Sequence, residues 1–440
     1  AFESDWPDAT VVKLEENFRS SPNILEVADK LIAFNQNRKE KKLVPTKPRA
    51  KDANVAAFED ETEEAQAVTQ QVKELNIEGA SLKEIAVFYR VNAMSRVLEE
   101  AFIQNKIPYQ IVRGVEFYNR KEIRDLLAYL KTLVNPDDEI ALLRIINTPP
   151  RGIGKTTIDR VRGYAIQNNI SFFEALKQAK SIDSLSKGSQ AKLATFINML
   201  EQFKKDIAGE VAPLAERVFV ESGLAESLRS AGEQNALENV NELINAAAQY
   251  DQQAENPTLL DYIQQISLFS DVDAYDTESS RVALMTLHAA KGLEFENVFI
   301  VGLEEGLLPH EKSNTDDEED LEEERRLFFV GITRAKFGLH ISCARYRTVR
   351  GQMLRTIPSQ FLFELGINVA EPDNVISAHT GINCSMSFAV GELVRHNSFG
   401  LGRVEEFINM GENSVVVVKF ENGQTKSLMV KYADLSKINI

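Results

Sequence analysis

The strongest constraint on the fold is an alternation of strand and helix patterns that stops and later resumes. Asn54–Phe58 and Ile85–Tyr89 read as strands, and Glu63–Leu75 and Met94–Asn105 as helices. Upstream, Thr10–Leu14 reads as another strand, followed by a loop. A helix comes next, with apolar residues at Ile24, Val27, Ala28, Leu31 and Ile32 on one face. Ser21 is its expected N-cap, and Pro22 suits the first helical position. Such alternation argues for a parallel sheet covered by helices. From about Tyr118 to Thr277 convincing strands vanish, and Ile123, Leu126, Leu127, Leu130 and Val134 share a helical face. Strands return at Val282–Leu287 and Val298–Leu303, apolar runs typical of strands buried on both faces. A helix is expected over Glu322–Lys336 and a strand over Leu339–Ala344. The expected fold class is α/β, one parallel-sheet domain interrupted by an all-α insertion.

The last segment differs. Leu393-Val394-Arg395, Arg403–Phe407, Ser414–Phe420 and Lys426–Val430 read as short strands. Turn signals lie at Gly400, Gly402, Gly411 and Asn422-Gly423, and Asn-Gly between apolar runs marks a hairpin. A small β-barrel is expected. The sequence-derived boundaries are 1–117 and 278–365 for the two parts of the sheet domain, 118–277 for the insertion, 366–387 for a linker and 388–440 for the barrel.

Composition narrows the function classes. With 43% hydrophobic and 26% charged residues among 440, the chain is an ordinary globular one. No apolar run approaches the roughly 20 residues of a membrane span, and no signal pattern opens the chain. Cys343 and Cys384 imply no disulfide framework, which suits a reducing cytoplasm. The five histidines are scattered, so no metal site is expected. The net charge of -16 argues mildly against nucleic acid, yet eight of the nine residues 316–324 are acidic. That run reads as a solvated loop, and phosphate contacts depend on where Lys and Arg sit.

Three segments carry candidate chemistry. Leu14–Ser20 contains Arg19, a permanently charged planar fork suited to phosphate; a surface salt bridge is its commoner fate. Its loop, between a strand and a helix, is expected at the carboxyl end of the sheet, where ligands of open α/β folds bind. Val282–Phe295 runs from strand to polar loop, with Thr286 and His288 able to bond a nucleic-acid backbone, Lys291 adding charge and Glu294 able to accept from a ribose hydroxyl. Glu322–Lys336 offers Arg326, Arg334 and Lys336 to an anion, unless its charges close into i,i+4 pairs; Leu327, Val330 and Ala335 are its expected inner face.

In this order, framing a helical stretch, these segments resemble the UvrD/PcrA/Rep group of superfamily-1 DNA helicases. The runs Phe117–Ile123 and Gly302–His310 add to the likeness. The resemblance implies a RecA-like domain that closes on another with ATP and Mg²⁺ between them. It implies that Arg19 and Arg334 reach the γ-phosphate, that Glu294 binds the nucleotide sugar, and that Phe18, where the family usually has Tyr, stacks on adenine. Thr286 and His288 would contact single-stranded DNA, and Lys291 would help couple the two sites. The final domain is similar to the tudor-like tail of the PcrA branch, which is associated with RNA polymerase.

Such an enzyme also needs a phosphate-cradling loop. Gly154-Lys155-Thr156 imitates its end, but Pro149 stands where the first glycine belongs, and Ala141–Asn147 reads as a helix rather than a strand. The resemblance instead places Gly152, Gly154 and Thr156 against duplex DNA; a ligand-free turn is the plainer reading. The P-loop and the metal ligands are therefore expected from an N-terminal helicase half, and this chain alone is expected to be inactive. The competing expectation is a non-catalytic adaptor that binds DNA and RNA polymerase, for which the arginine segments would have no use.

Overall fold

The computed structural model describes residues 6, 15–36, 43–270, 280–310, 318–349, 352–366, 392–396, 400–408, 415–420, 425–429 and 435–437. The strand expected at Thr10–Leu14, nearly all of the linker 366–387 and the turn at Asn422-Gly423 lie outside these residues. The chain divides into two compact units, Ala1–Pro372 and Asp373–Ile440.

The first unit is built on six parallel strands: β1 (Asn54–Phe58), β2 (Ile85–Tyr89), β3 (Tyr109–Ile111), β4 (Val282–Thr286), β5 (Phe295–Ile300) and β6 (Ala335–Ala344). Their order is β1-β6-β5-β2-β4-β3. All five residues of β2 are buried, because helices cover both faces. Alternate residues serve opposite cores. Ala86 and Phe88 pack with α1 (Pro22–Ile32) and α13 (Glu318–Ile332). Ile85, Val87 and Tyr89 pack with α2 (Glu61–Ile77) and α3 (Ser95–Gln104).

Between β3 and β4 the described structure is helical: α4 (Lys121–Val134), α5 (Glu139–Ile145), α6 (Lys155–Asn168), α7 (Phe172–Lys177), α8 (Lys187–Phe203), α9 (Val211–Glu221), α10 (Leu224–Ser230), α11 (Gln234–Gln253) and α12 (Leu259–Ser270). These helices share a hydrophobic core of their own, running from Phe117 to Ile266. After β6 come a hairpin, β7 (Tyr346–Val349) and β8 (Gln352–Arg355), and the short α14 (Gln360–Glu364).

The second unit is an antiparallel sheet of β9 (Leu393–His396), β10 (Gly400–Ile408), β11 (Val415–Phe420), β12 (Thr425–Met429) and β13 (Leu435–Lys437), ordered β12-β11-β10-β9-β13. Among its described residues Val394, Val404, Val416 and Val418 are buried. No described helix is long and apolar enough to cross a membrane.

Several local expectations are corrected. Ser21 occupies the N-cap position and Pro22 the first turn, but the Ser21 hydroxyl makes no cap bond. The helix expected over Glu322–Lys336 starts at Glu318 and stops at Ile332, because Ala335 already pairs with Phe295 as a strand. Strand β5 accordingly begins at Phe295 rather than Val298. Phe328 and Ile332, not Leu327 and Val330, are the fully buried face of α13.

Candidate functional site

The Arg19 loop is stapled to the start of β6. Asn17 Oδ1 accepts from the backbone N–H groups of Arg19 (3.0 Å) and Ser20 (2.9 Å). The Ser20 hydroxyl donates to the Ala335 carbonyl at 2.7 Å, and the Ser21 N–H donates to the Lys336 carbonyl at 3.0 Å. This places Arg19 beside residues that precede β5 and β6. Its Nε donates to Glu294 at 2.8 Å, and Lys336 Nζ stands 3.2 Å from the same carboxylate. Arg19 and then Lys336 hold the Glu294 carboxyl below the usual carboxylate range.

Arg334 completes the cluster without a carboxylate. Its Nε donates to the Val330 carbonyl (3.0 Å), Nη1 to the Leu293 carbonyl (3.2 Å) and Nη2 to Thr333 Oγ1 (3.2 Å). Burial, and then the charge of Arg19, lower its pKa. Among the described residues it forms no ion pair. Phe18, next in the loop, is 70% exposed.

These residues lie at the amino ends of parallel strands, which corrects the expectation of a carboxyl-end site. Glu294 and Arg334 precede their strands, and Arg19, which follows the short strand Glu16–Asn17 and precedes α1, is brought beside them. At the carboxyl end lie Thr286, which closes β4, and the exposed His288. The Thr286 backbone carbonyl accepts from Ala289 (3.0 Å) and Ala290 (3.2 Å), and its Oγ1 from Ala289 N (3.3 Å). Partial burial and then Arg90 pull the His288 pKa down. The connection 287–294, which carries the exposed Lys291, runs from this edge back to Glu294. The two edges are separated by roughly a strand length, about 17–20 Å.

The turn 151–157 belongs to the helical region. Arg151 bonds the Tyr129 hydroxyl (2.5 Å) and the Ser222 carbonyl (2.8 Å). Gly152 takes φ +69°, and its carbonyl accepts from Lys192 Nζ at 3.2 Å. Gly154 caps α6, placing Thr156 in its first turn, and the residues before the turn form α5, a helix. No described hydrogen bond joins this turn to either sheet edge.

Three partnerships escaped sequence reasoning. Arg90 makes a bidentate pair with the buried Glu324, at 2.7 Å from Nη2 and 3.0 Å from Nε. Arg325 pairs with Glu364 and Asn35, and Lys336 reaches Glu84 at 3.9 Å. Arg326, an anion candidate, closes an i,i+4 pair with Glu322 at 2.7 Å. Glu324 and Arg325 sit inside a segment already singled out, but their partners are distant in sequence.

The sequence profile of the UvrD-like helicase C-terminal domain matches residues 12–346, so the chain belongs to that family. It is 35% identical over 470 residues to an ATP-dependent DNA helicase PcrA from Staphylococcus epidermidis, covering 99% of this chain and 63% of that protein. It is 34% identical over 474 residues to the ATP-dependent DNA helicase PcrA of Bacillus subtilis strain 168, covering 99% and 64%. The chain thus spans under two thirds of these relatives' length. A crystal structure of the C-terminal domain of a possible DNA helicase from a Lactobacillus is matched at TM-score 0.30 and 10% identity, covering 79% of this chain and 94% of that one.

Proposed function

We propose that this chain is the part of an ATP-dependent 3′→5′ DNA helicase that closes over the nucleotide and grips DNA. The observation that carries this reading is the half-buried Arg334, which has no carboxylate partner and lies near enough to Arg19 to feel its charge. Glu294 already pairs with Arg19 and offsets part of that repulsion, so Arg334, which has no ion pair of its own among the described residues, is the guanidinium a further anion would relieve most. ATP bound with Mg²⁺ supplies a polyphosphate anion and the phosphoryl group that water takes up. Arg19 and Arg334 are assigned as the fingers that stabilise negative charge on that group. Glu294 accepts from the sugar hydroxyls, and the exposed Phe18 ring offers its face to adenine. The phosphate cradle and the metal ligands are assigned to a partner N-terminal half.

Thr286, His288 and Lys291 are assigned to single-stranded DNA at the opposite edge. Gly152, Gly154 and Thr156 are assigned to the duplex, where a glycine at positive φ lets backbone approach phosphate. On this reading 1–117 and 278–365 form one RecA-like domain around the insertion 118–277. Residues 388–440 form a tudor-like barrel on the linker 366–387, with RNA polymerase as its partner; the bulge in β10 between Val404 and Glu406 supplies the bend such a barrel needs.

The test is to mix this chain with the P-loop-bearing N-terminal half of a PcrA relative. DNA-stimulated ATP hydrolysis that neither part shows alone is expected. Turnover by this chain alone, or none in a mixture that still assembles on DNA, would contradict the proposal.

A further inference from the structure

Of the anion candidates Arg326, Arg334 and Lys336, the proposed function uses Arg334 alone. Arg326 is closed onto Glu322. Lys336 differs from both. It is the second residue of β6, and its backbone carbonyl accepts from the Ser21 N–H at 3.0 Å, so its stem is fixed where the Arg19 loop is stapled to the sheet. Its neighbour Ala335 pairs with Phe295, the residue after Glu294. The register thus brings the Lys336 side chain to Glu294. Nζ stands 3.2 Å from Oε1, while Arg19 Nε takes Oε2 at 2.8 Å. A second carboxylate, Glu84 just before β2, lies 3.9 Å from the same ammonium.

One ammonium set between two carboxylates is already neutralised, so Lys336 is a poor phosphate contact where Arg334 is a good one. Its use lies with Glu294. On the proposed function, on which this inference rests, Arg19 turns to the γ-phosphate, and its bond to Oε2 breaks. That oxygen is then open to a sugar hydroxyl. An ionised carboxylate has about four acceptor sites, so it can take the hydroxyl while Oε1 stays on Lys336. With no second cation, this half-exposed side chain would rotate freely in water, and ordering it for the sugar would cost rotamer entropy. We infer that Lys336 is a positioning residue: it keeps Glu294 aimed at the nucleotide sugar after Arg19 has left for the phosphate.

The first test uses the mixture of this chain with the P-loop-bearing N-terminal half, saturated with single-stranded DNA. Lys336→Met is expected to raise KM for ATP roughly tenfold and to change kcat less than about twofold, the mark of lost binding shared by ground and transition states. Lys336→Arg should restore KM. With 2′,3′-dideoxy-ATP, whose sugar offers Glu294 no hydroxyl, Lys336→Met should cost nothing beyond what the unaltered chain already loses. An unchanged KM for ATP, an equal loss with the dideoxy nucleotide, or a fall in kcat like that of Arg334→Ala would each overturn the inference and leave the proposed function standing. An inactive mixture of unaltered chains would instead count against the proposed function, and the inference with it. The second test needs no partner half. In a crystal structure of Arg19→Ala, Glu294 is expected to remain within hydrogen-bond distance of Lys336. A Glu294 side chain turned away from Lys336 there would overturn the inference whatever the mixture does.

Discussion

Arg334 donates from Nη1 to the carbonyl oxygen of Leu293 at 3.2 Å. The bond ties the end of α13 to the connection 287–294, which begins beside Thr286 and His288 at the other edge of the sheet. The same connection ends at Glu294, the carboxylate held by Arg19. One short segment therefore touches both candidate sites, and a shift at its Thr286–His288 end has a covalent route to the arginines. Gly331 brings α13 against the start of that segment. A Cβ there would stand 2.4 Å from the Leu287 side chain and 3.3 Å from Ile300.

Gly331→Ala is accordingly expected to overpack this contact. The gain in helix propensity, up to about 1 kcal/mol, offsets part of an overpacking cost of about 1–3 kcal/mol. Urea unfolding should show a net loss of about 1–2 kcal/mol. Unchanged or increased stability would mean that α13 does not rest on Leu287 as described.

On the proposed reading His288 meets single-stranded DNA, and its charge then sets the pH dependence of binding. Its pKa lies below the ordinary 6.5, so the ring is neutral at pH 7 and gains a proton only on further acidification. Single-strand affinity, measured by fluorescence anisotropy at constant ionic strength, should be flat from pH 8 to 6.5 and tighten below that. His288→Gln should abolish the tightening. A pH profile identical in that variant would remove His288 from the DNA-facing set.

Much of this was legible in the sequence, for physical reasons. Strand β2 is legible to its ends because burial on both faces makes it a continuous apolar run, and β1 is legible from its short apolar stretch although only Val55 is buried. Strand β3 was missed: three partly exposed residues, Tyr109–Ile111, carry no periodicity to read. Arg19, Glu294 and Arg334 were singled out from three distant segments, and the fold brings them together. The edge of the sheet was misjudged because the carboxyl-end rule describes crevices formed after strands, whereas Glu294 and Arg334 immediately precede theirs. Pairs such as Arg90 with Glu324 were illegible because 234 residues separate the partners.

Glu99 sets a stability expectation where the sheet domain meets the helices. It is buried on α3 and accepts from the Phe117 N–H at 3.0 Å, and burial pushes its pKa up to about 7. An unfolded glutamate titrates near 4.5, so between pH 4.5 and 7 the folded chain binds the extra proton. Stability from this group is therefore greatest below pH 4.5, falls as pH rises to about 7, and is level above it. Glu99→Gln should flatten that slope in urea unfolding across the window; an unaltered slope would assign it to other groups.

The central claim is that Arg334 completes a composite ATPase site, and the most direct measurement is DNA-stimulated hydrolysis by this chain combined with a P-loop-bearing N-terminal half. Arg334→Ala is expected to lower turnover by about 10³-fold or more while the mixture still binds single-stranded DNA, and Arg334→Lys is expected not to restore it, because a point charge lacks the planar fork. Turnover unchanged in Arg334→Ala would contradict the account.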